Sequence, residues 1–142
     1  MNAPITYWRR LLVLAACDTG NYTVRFTVGE AGTILNTTDA GATWQAQASG
    51  VKNNLNGVSF AFTTYGCAVG DKGTIVYTTD GSTWNSASSV PTTLKLNAVD
   101  VELGEGVDGL AVGVQGTILF TANCSSWTAQ TSNTTANLNG VW

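Results

Sequence analysis

The sequence has no histidine and few charged residues. Its 142 residues include six Lys and Arg and nine Asp and Glu, so charged residues make up 11% of the chain. Histidine is the most common general base and metal ligand in proteins, so its absence argues against a catalytic or metal centre. The net charge of −3 provides no basic surface that would hold a phosphate backbone, and we do not expect nucleic acid as a partner.

Cysteine and long apolar runs are also scarce. The three cysteines, Cys17, Cys67 and Cys124, form no C-x-x-C pair. Their spacing predicts neither a zinc site nor a disulfide framework, and one disulfide plus a free thiol is compatible with the count. No stretch approaches the ~20 apolar residues of a membrane span. We therefore predict no metal, no cofactor and no membrane span.

The chain is rich instead in Gly, Thr, Asn and Ser, and its hydrophobic fraction is 44%. Turn-forming residues between short apolar runs favour strands and tight turns over helices. A chain of this length buries roughly two-thirds of its unfolded surface, which is enough for a real core. The composition therefore predicts an all-β protein.

One stretch of the sequence occurs three times. It starts as Val-Gly-x-x-Gly-Thr-Ile and ends in tryptophan. The copies occupy residues 28–44, 69–84 and 112–127. A second marker, Leu-Asn-Gly/Ala-Val, begins at Leu55, Leu96 and Leu138, which are 41 and 42 residues apart. Because two independent markers keep one period near 40, the length of a four-stranded propeller blade, we predict a β-propeller.

The repeat also predicts how the chain is divided. We expect one repeat domain over residues 1–142, with four-stranded antiparallel blades at about 11–50, 55–93 and 96–134. Residues 138–142 then start a further blade. A propeller normally closes with ~4–8 blades, so three blades leave open edges. We predict that a second chain completes the ring, with a homodimer favoured; a larger protein assembly or a longer parent protein are the alternatives.

The first seventeen residues have two interpretations. Arg9, Arg10, the apolar run Leu11–Ala16 and Cys17 resemble a bacterial lipoprotein signal, although six apolar residues are fewer than the ~7–15 of a signal core. The alternative is a buried strand equivalent to Leu55–Phe60 in the next repeat. The protein is accordingly expected in an extracellular, cell-surface or virion-associated location.

Each repeat carries a turn motif, whose first copy reads Thr-x-Asp-x-Gly-x-Thr-Trp. A carboxylate in a tight turn accepts N–H bonds from the residues that follow, glycine permits a positive φ, and tryptophan packs between sheets. The third copy replaces Asp with Asn123 and Gly with Ser125, so we expect its turn to be less well anchored. The residues assigned to these structural turns are Thr37, Asp39, Gly41, Trp44, Thr78, Asp80, Gly81, Trp84, Asn123 and Trp127.

This motif matches the S/T-x-D-x-G-x-T-W pattern of the Asp-box. With the Val-Gly-x-x-Gly-Thr-Ile and Leu-Asn-Gly-Val segments, it resembles the BNR/Asp-box propellers, and among them the photosystem II stability and assembly factor-like repeats. The resemblance covers about residues 11–142 and implies a propeller fold. The superfamily includes sialidases, xyloglucan-cleaving enzymes, assembly factors and uncharacterised surface or phage proteins, so the resemblance does not select an activity.

The residue inventory argues against catalysis. Sialidases resemble one another in an arginine triad, whereas two of the three arginines here are adjacent near the N-terminus. A glycosidase needs two acids at a shared cleft, and Asp39 and Asp80 are accounted for by turns. One Asp per turn is also too few for calcium, which takes ~6–8 oxygen ligands. Three further acids are expected together in one loop: Glu102, Glu105 and Asp108.

We therefore predict a non-catalytic propeller that serves as a structural or protein-interaction module, and not an enzyme. A carbohydrate-binding propeller like the sialidases is the alternative, and an assembly-factor-like chaperone is the third interpretation. A tryptophan at one fixed place per repeat is more typical of packing between blades than of a sugar platform. A cleft with an exposed tryptophan and paired acids would favour sugar, whereas a flat polar face would favour protein contacts.

Overall fold

The computed structural model describes residues 23–103 and 106–142, together with the backbone of one strand at Val13–Ala16. In this part of the chain the regular structure consists of β-strands and short 3-10 turns only. No helix among these residues is long and apolar enough to cross a membrane. Of the lipoprotein-like segment, Arg9, Arg10, residues 11–12 and Cys17 lie outside the described residues, whereas Val13–Ala16 forms a strand.

The strands of the described residues form three separate four-stranded antiparallel sheets, and each sheet follows chain order. Blade 1 contains β1 (Val13–Ala16), β2 (Arg25–Val28), β3 (Ile34–Thr37) and β4 (Gln45–Gln47). Blade 2 contains β5 (Leu55–Phe60), β6 (Gly66–Gly70), β7 (Ile75–Thr78) and β8 (Asn85–Ser86). Blade 3 contains β9 (Leu96–Leu103), β10 (Val107–Gly113), β11 (Ile118–Thr121) and β12 (Thr128–Gln130). The predicted fold class, all-β propeller blades, is confirmed.

The innermost strands are tied to one another by the asparagine of the Leu-Asn marker. Asn56 Nδ2 donates to the Leu96 carbonyl at 2.9 Å, and Asn97 Nδ2 donates to the Leu138 carbonyl at 2.8 Å. Residues 138–142 form no strand, yet Leu138 N–H donates to Gly113 O at 2.9 Å. The contact that links blade 2 to blade 3 is thus repeated at Leu138. That residues 138–142 start a further blade stays a prediction.

One predicted loop is instead part of a long hairpin. Glu102 lies in β9 and pairs with Asp108 in β10, so the expectation that these acids share a loop is wrong. The apolar alternation that begins at Val99 continues through Val101 to Leu103, and this pattern extends β9 past its predicted end. The remaining acid of that set, Glu105, lies outside the described residues.

The core lies between the blades in two apolar clusters. Strand side chains alternate between the two faces of a sheet, so blade 2 packs on blade 1 with one face and on blade 3 with the other. The first interblade cluster contains Phe26, Val28, Ile34, Leu55, Val58, Phe60, Ala68, Val76 and Trp84. The second interblade cluster contains Cys67, Val69, Ile75, Leu96, Val99, Val101, Ala111, Leu119, Cys124 and Trp127. Strand β6, which lies between both clusters, is buried throughout.

The repeated Gly-x-x-Gly-Thr segment forms a 3-10 turn in every blade. In blade 2 the turn spans Asp71–Gly73, and its middle residue, Lys72, has φ of 57°. Gly73 has φ of 68°, and its N–H donates to the Leu94 carbonyl at 2.8 Å. A Cβ at Gly73 would lie 2.1 Å from the Thr92 carbonyl oxygen. The glycine therefore lets the link between blades 2 and 3 pack directly on the turn.

Candidate functional site

The first two Asp-box turns hold their carboxylates with hydrogen bonds from the turn itself. Asp39 Oδ1 accepts bonds from Thr37 Oγ1 at 2.6 Å and from Thr43 N–H at 2.8 Å. Asp80 Oδ1 accepts N–H bonds from Thr83 at 2.6 Å and Ser82 at 2.8 Å. These bonds hold the pKa of both carboxyls well below the usual range, chiefly through the Thr37 hydroxyl at Asp39 and the Thr83 N–H at Asp80.

The third turn keeps the same bonding pattern with a neutral acceptor. Asn123 Oδ1 accepts N–H bonds from Ser125 at 3.1 Å and Ser126 at 3.0 Å, both longer than their equivalents at Asp80. The expectation that Ser125 takes the place of the turn glycine is wrong. The second and third turns have equal length, so Cys124, with φ of 54°, aligns with Gly81, with φ of 74°.

Asp80→Asn is expected to make the fold less sensitive to acid. Because the folded-state pKa of Asp80 is lowered, its contribution to stability is complete above the ordinary aspartate pKa of ~3.9 and is lost as the pH falls below it. Asparagine keeps the acceptor oxygen, as Asn123 does in blade 3, but does not titrate. Denaturation midpoints measured from about pH 6 to 2.5 should therefore fall less steeply in the variant.

The equivalent change at the first turn serves as a second measurement. Asp39→Asn should also make the denaturation midpoint fall less steeply at low pH. The double variant should reduce this pH dependence further, because the pKa of each carboxyl is lowered separately by its own turn. Profiles that run parallel to that of the parent would contradict the assignment of these carboxylates as ionised turn acceptors.

The three motif tryptophans differ sharply in exposure. Trp84 is 7% exposed and Trp127 is 2% exposed, whereas Trp44 is 40% exposed. Trp84 belongs to blade 2 and packs edge-on against Phe26 of the preceding blade, with ring centroids 6.2 Å apart. In the part of the chain that the structure describes, no blade precedes blade 1. Trp44 therefore lacks the surface on which its two equivalents pack.

The face of blade 3 that points away from blade 2 has no following blade to cover it among the described residues. Phe26, Cys67 and Leu110 occupy equivalent places in the second strands of the three blades, two residues before the Val-Gly pair. Phe26 and Cys67 are buried by the following blade, at 3% and 0% exposed, whereas Leu110 is 39% exposed. Phe120, which pairs with Leu110 across β10 and β11, is 37% exposed. This face of blade 3 is an interblade surface without a neighbour among the described residues.

A cleft of about 300 Å³ lies on this open face. Its lining combines carboxylates and apolar side chains: Asp100, Glu102, Asp108, Gly109, Leu110, Phe120, Val141 and Trp142. The spacing Asp100-x-Glu102 puts both side chains on one face of β9 and would have revealed the acidic part from sequence. Among the described residues, no group of three His, Cys, Asp or Glu is placed to hold a metal ion. The cleft offers acceptors for hydrogen bonds beside apolar surface.

The Asp-box residues and this cleft form separate features of the fold. Each Asp-box carboxylate is bonded within its own turn, whereas the cleft carboxylates stand on β9 and β10. Asp100 Oδ1 accepts a bond from Ser59 Oγ of blade 2 at 3.1 Å. The sequence motifs select the turns and miss the cleft, because Glu102 and Asp108 were expected in a loop although they pair across β9 and β10.

Three meander sheets, packed face to face through tryptophans, define this chain as consecutive blades of a β-propeller. The fold is similar to that of YCF48 from Cyanidioschyzon merolae, with a TM-score of 0.68 and 23% identity over 84% of this chain and 36% of that one. A structure of YCF48 bound to D1 peptide gives a TM-score of 0.68 and 24% identity, covering 84% of this chain and 39% of that one.

These structural neighbours match the resemblance to photosystem II stability and assembly factor-like repeats that the sequence motifs indicate. At 23–24% identity, this similarity supports a shared fold only. The chain spans less than two-fifths of the length of either YCF48 chain. No model of a known protein family matches the sequence, and no curated protein matches it.

Proposed function

We propose that this chain is a non-catalytic protein-interaction module that closes a propeller ring with a second copy of itself. The proposal rests on two uncovered surfaces, at opposite ends of the row of blades, that fit each other. Blade 1 exposes a tryptophan whose two equivalents are buried, and blade 3 exposes the surface on which such a tryptophan packs. The solved YCF48 with its bound D1 peptide supports protein contacts for a propeller of this kind.

In the proposed ring, blade 1 of each copy packs on blade 3 of the other. Trp44 then lies beside Leu110 as Trp84 lies beside Phe26, and Phe120 is covered. A twofold axis relates the two junctions, so both are satisfied at once and six blades close the ring, within the ~4–8 seen in propellers. Blade 1 already has β1 as its innermost strand, so Val141 and Trp142, which line the cleft, must move aside to let the partner's blade 1 pack there.

Closure is favoured by the apolar surface that it removes from water. Each junction covers three apolar side chains that are 37–40% exposed, Trp44, Leu110 and Phe120, and each gains a corresponding fraction of the roughly 1.5–3 kcal/mol for full burial. A ring contains two junctions, so the gain is doubled. Catalysis is not needed to explain any of these residues, and the Asp-box carboxylates are occupied within their turns.

The mass of the protein in solution tests the proposal. Light scattering should give about twice the 14.8 kDa of the chain. Trp44→Ala and Phe120→Asp should each lower the mass to that of one chain without changing the β-sheet circular dichroism, because both side chains are exposed in the single chain. Phe62→Ala removes an exposed aromatic from blade 2, which takes no part in the new junctions, and should keep the parent mass.

A carbohydrate-binding role is the second candidate, because the cleft meets the criterion set for sugar. Trp142 and Phe120 lie beside Asp100, Glu102 and Asp108, and aromatic rings next to hydrogen-bonding carboxylates suit a sugar ring. Ring closure and sugar binding would use the same face of blade 3. A parent protein with the mass of a single chain would therefore overturn the ring and favour this candidate.

A further inference from the structure

Two thiols from different blades lie in contact inside the second interblade cluster. Cys67 belongs to β6 of blade 2, and Cys124 belongs to the Asp-box turn of blade 3, 57 residues further along the chain. Their Sγ atoms are 2.9 Å apart, and both side chains are 0% exposed. We propose that Cys67 and Cys124 form a disulfide that joins blade 2 covalently to blade 3.

The geometry requires little movement. A disulfide has an S–S distance of ~2.05 Å, so the two sulfur atoms need to approach by roughly 0.9 Å. The two thiols already point at each other across the interface, and the structure records them as free cysteines in hydrogen-bond contact. Blade 2 and blade 3 are also tied beside the pair, where Tyr65 Oη donates to the Asn123 carbonyl at 2.8 Å. The backbone on both sides is therefore already held in register.

The repeat shows that both cysteines replace other residues at equivalent places. Cys67 takes the place of Phe26, which in the first interblade cluster stacks on Phe60 with ring centroids 4.0 Å apart. Cys124 takes the place of Gly81, which has no side chain. A small residue has thus replaced a large one, and a larger residue has replaced glycine on the facing turn. The two changes bring two sulfur atoms together at a place where the other interface has none.

The reaction is an ordinary thiol–disulfide exchange with a small-molecule disulfide, such as oxidised glutathione, as the oxidant. One cysteine thiolate attacks the glutathione S–S bond, forms a mixed disulfide and releases one glutathione thiolate. The second cysteine thiolate attacks the protein sulfur of that mixed disulfide and releases the second glutathione thiolate. The protein thiols lose two electrons and two protons, and one glutathione disulfide is reduced to two thiols.

Burial determines when this exchange takes place. Once the interface has formed, neither sulfur is exposed, and burial also raises the pKa of the Cys67 thiol, which makes the reactive thiolate rare. The disulfide therefore forms while the blades assemble, and the folded interface then protects it from reductants. An oxidising compartment supplies such conditions, in accord with the extracellular or surface location expected from the sequence.

Peptide mapping tests the bond directly. The protein carries Cys17→Ser in all samples, because Cys17 lies outside the described residues and would add competing pairings. It is refolded from denaturant in a mixture of oxidised and reduced glutathione, alkylated and digested with trypsin. Cleavage at the lysines separates the cysteines into peptides 53–72 and 96–142. We expect these two peptides to be linked, with a mass two hydrogens below their sum, and to separate on reduction.

The stability of the oxidised and reduced forms provides a second readout. A cross-link over 57 residues restricts the unfolded chain, so reduction should raise the unfolding equilibrium constant roughly 30- to 1,000-fold. Cys67→Ser provides the control, since its denaturation midpoint should not change with reductant. Free thiols at both positions after oxidative refolding, glutathione adducts in place of the linked peptides, or equal stability of the oxidised and reduced parent would overturn the proposal.

Discussion

Replacing Gly73 by alanine is expected to lower the free energy of unfolding by about 3–5 kcal/mol. Two separate costs add up at this position. The backbone has φ of 68°, where an L-residue with a Cβ pays ~1–2 kcal/mol. The new Cβ would also lie 2.1 Å from the Thr92 carbonyl oxygen, a backbone atom of the link into blade 3.

The close contact is costly because the link cannot easily move. Gly73 N–H donates to the Leu94 carbonyl at 2.8 Å, and relieving the clash by displacing the link would break this bond. Two residues after Leu94 the chain enters β9, whose first residue, Leu96, is fully buried in the second interblade cluster. The strain would therefore be transmitted to the packing of blade 3 on blade 2.

Gly50→Ala is the matched control, because it measures the cost of the positive φ without a steric clash. Gly50 has φ of 74°, close to that of Gly73, but among the described residues no heavy atom beyond its own chain neighbours lies within 4 Å of a Cβ built there. This variant should lose only the backbone cost of ~1–2 kcal/mol. Urea unfolding at one protein concentration, extrapolated linearly to water, measures both losses. Equal losses in the two variants would show that the contact with Thr92 is not what selects glycine at position 73.

The period of the sequence was sufficient to predict the three blades, because its markers are the residues that hold neighbouring blades together. Gly73 fixes a turn against the next link, Asn56 ties one innermost strand to the next, and Trp84 fills the space between sheets. These roles need particular side chains in every blade, so they recur visibly. The ends of strands were less predictable. Strand pairing continues for as long as apolar and polar residues alternate, and for this reason β9 extends to Leu103.

The thiol contact and the apolar part of the cleft could not be predicted in the same way, because they depend on departures from the repeat. Cys67 and Cys124 are 57 residues apart, and nothing local indicates that a second strand and a turn bring them together. The exposure of Trp44 and Leu110 likewise follows from the absence of a neighbouring blade among the described residues. Each of these features is visible only when equivalent positions are compared between blades in three dimensions.

Trp84→Ala is expected to lower the free energy of unfolding by about 3–5 kcal/mol, because it empties the centre of the first interblade cluster. The indole packs edge-on against Phe26 and Phe60, with centroid distances of 6.2 Å and 5.9 Å, and these two rings stack on each other. Each such aromatic pair contributes about 0.5–1.5 kcal/mol beyond the burial of its area. Alanine would lose both edge contacts and leave a cavity between two sheets that cannot close over it without shifting a blade.

The indole N–H adds a polar contact that a second variant separates from the packing. Trp84 Nε1 donates to Gln47 Oε1 at 2.7 Å, and Gln47 Nε2 donates to the Gly81 carbonyl at 3.0 Å, so the outer edge of blade 1 is bonded to the turn of blade 2. Trp84→Phe keeps an aromatic ring between the sheets and removes only the first of these bonds, which costs about 1–1.5 kcal/mol. Measured by urea unfolding at one protein concentration, the phenylalanine variant should therefore retain most of the stability that alanine loses. Equal losses for alanine and phenylalanine would mean that the hydrogen bond to blade 1, and not the aromatic packing, joins the first two blades.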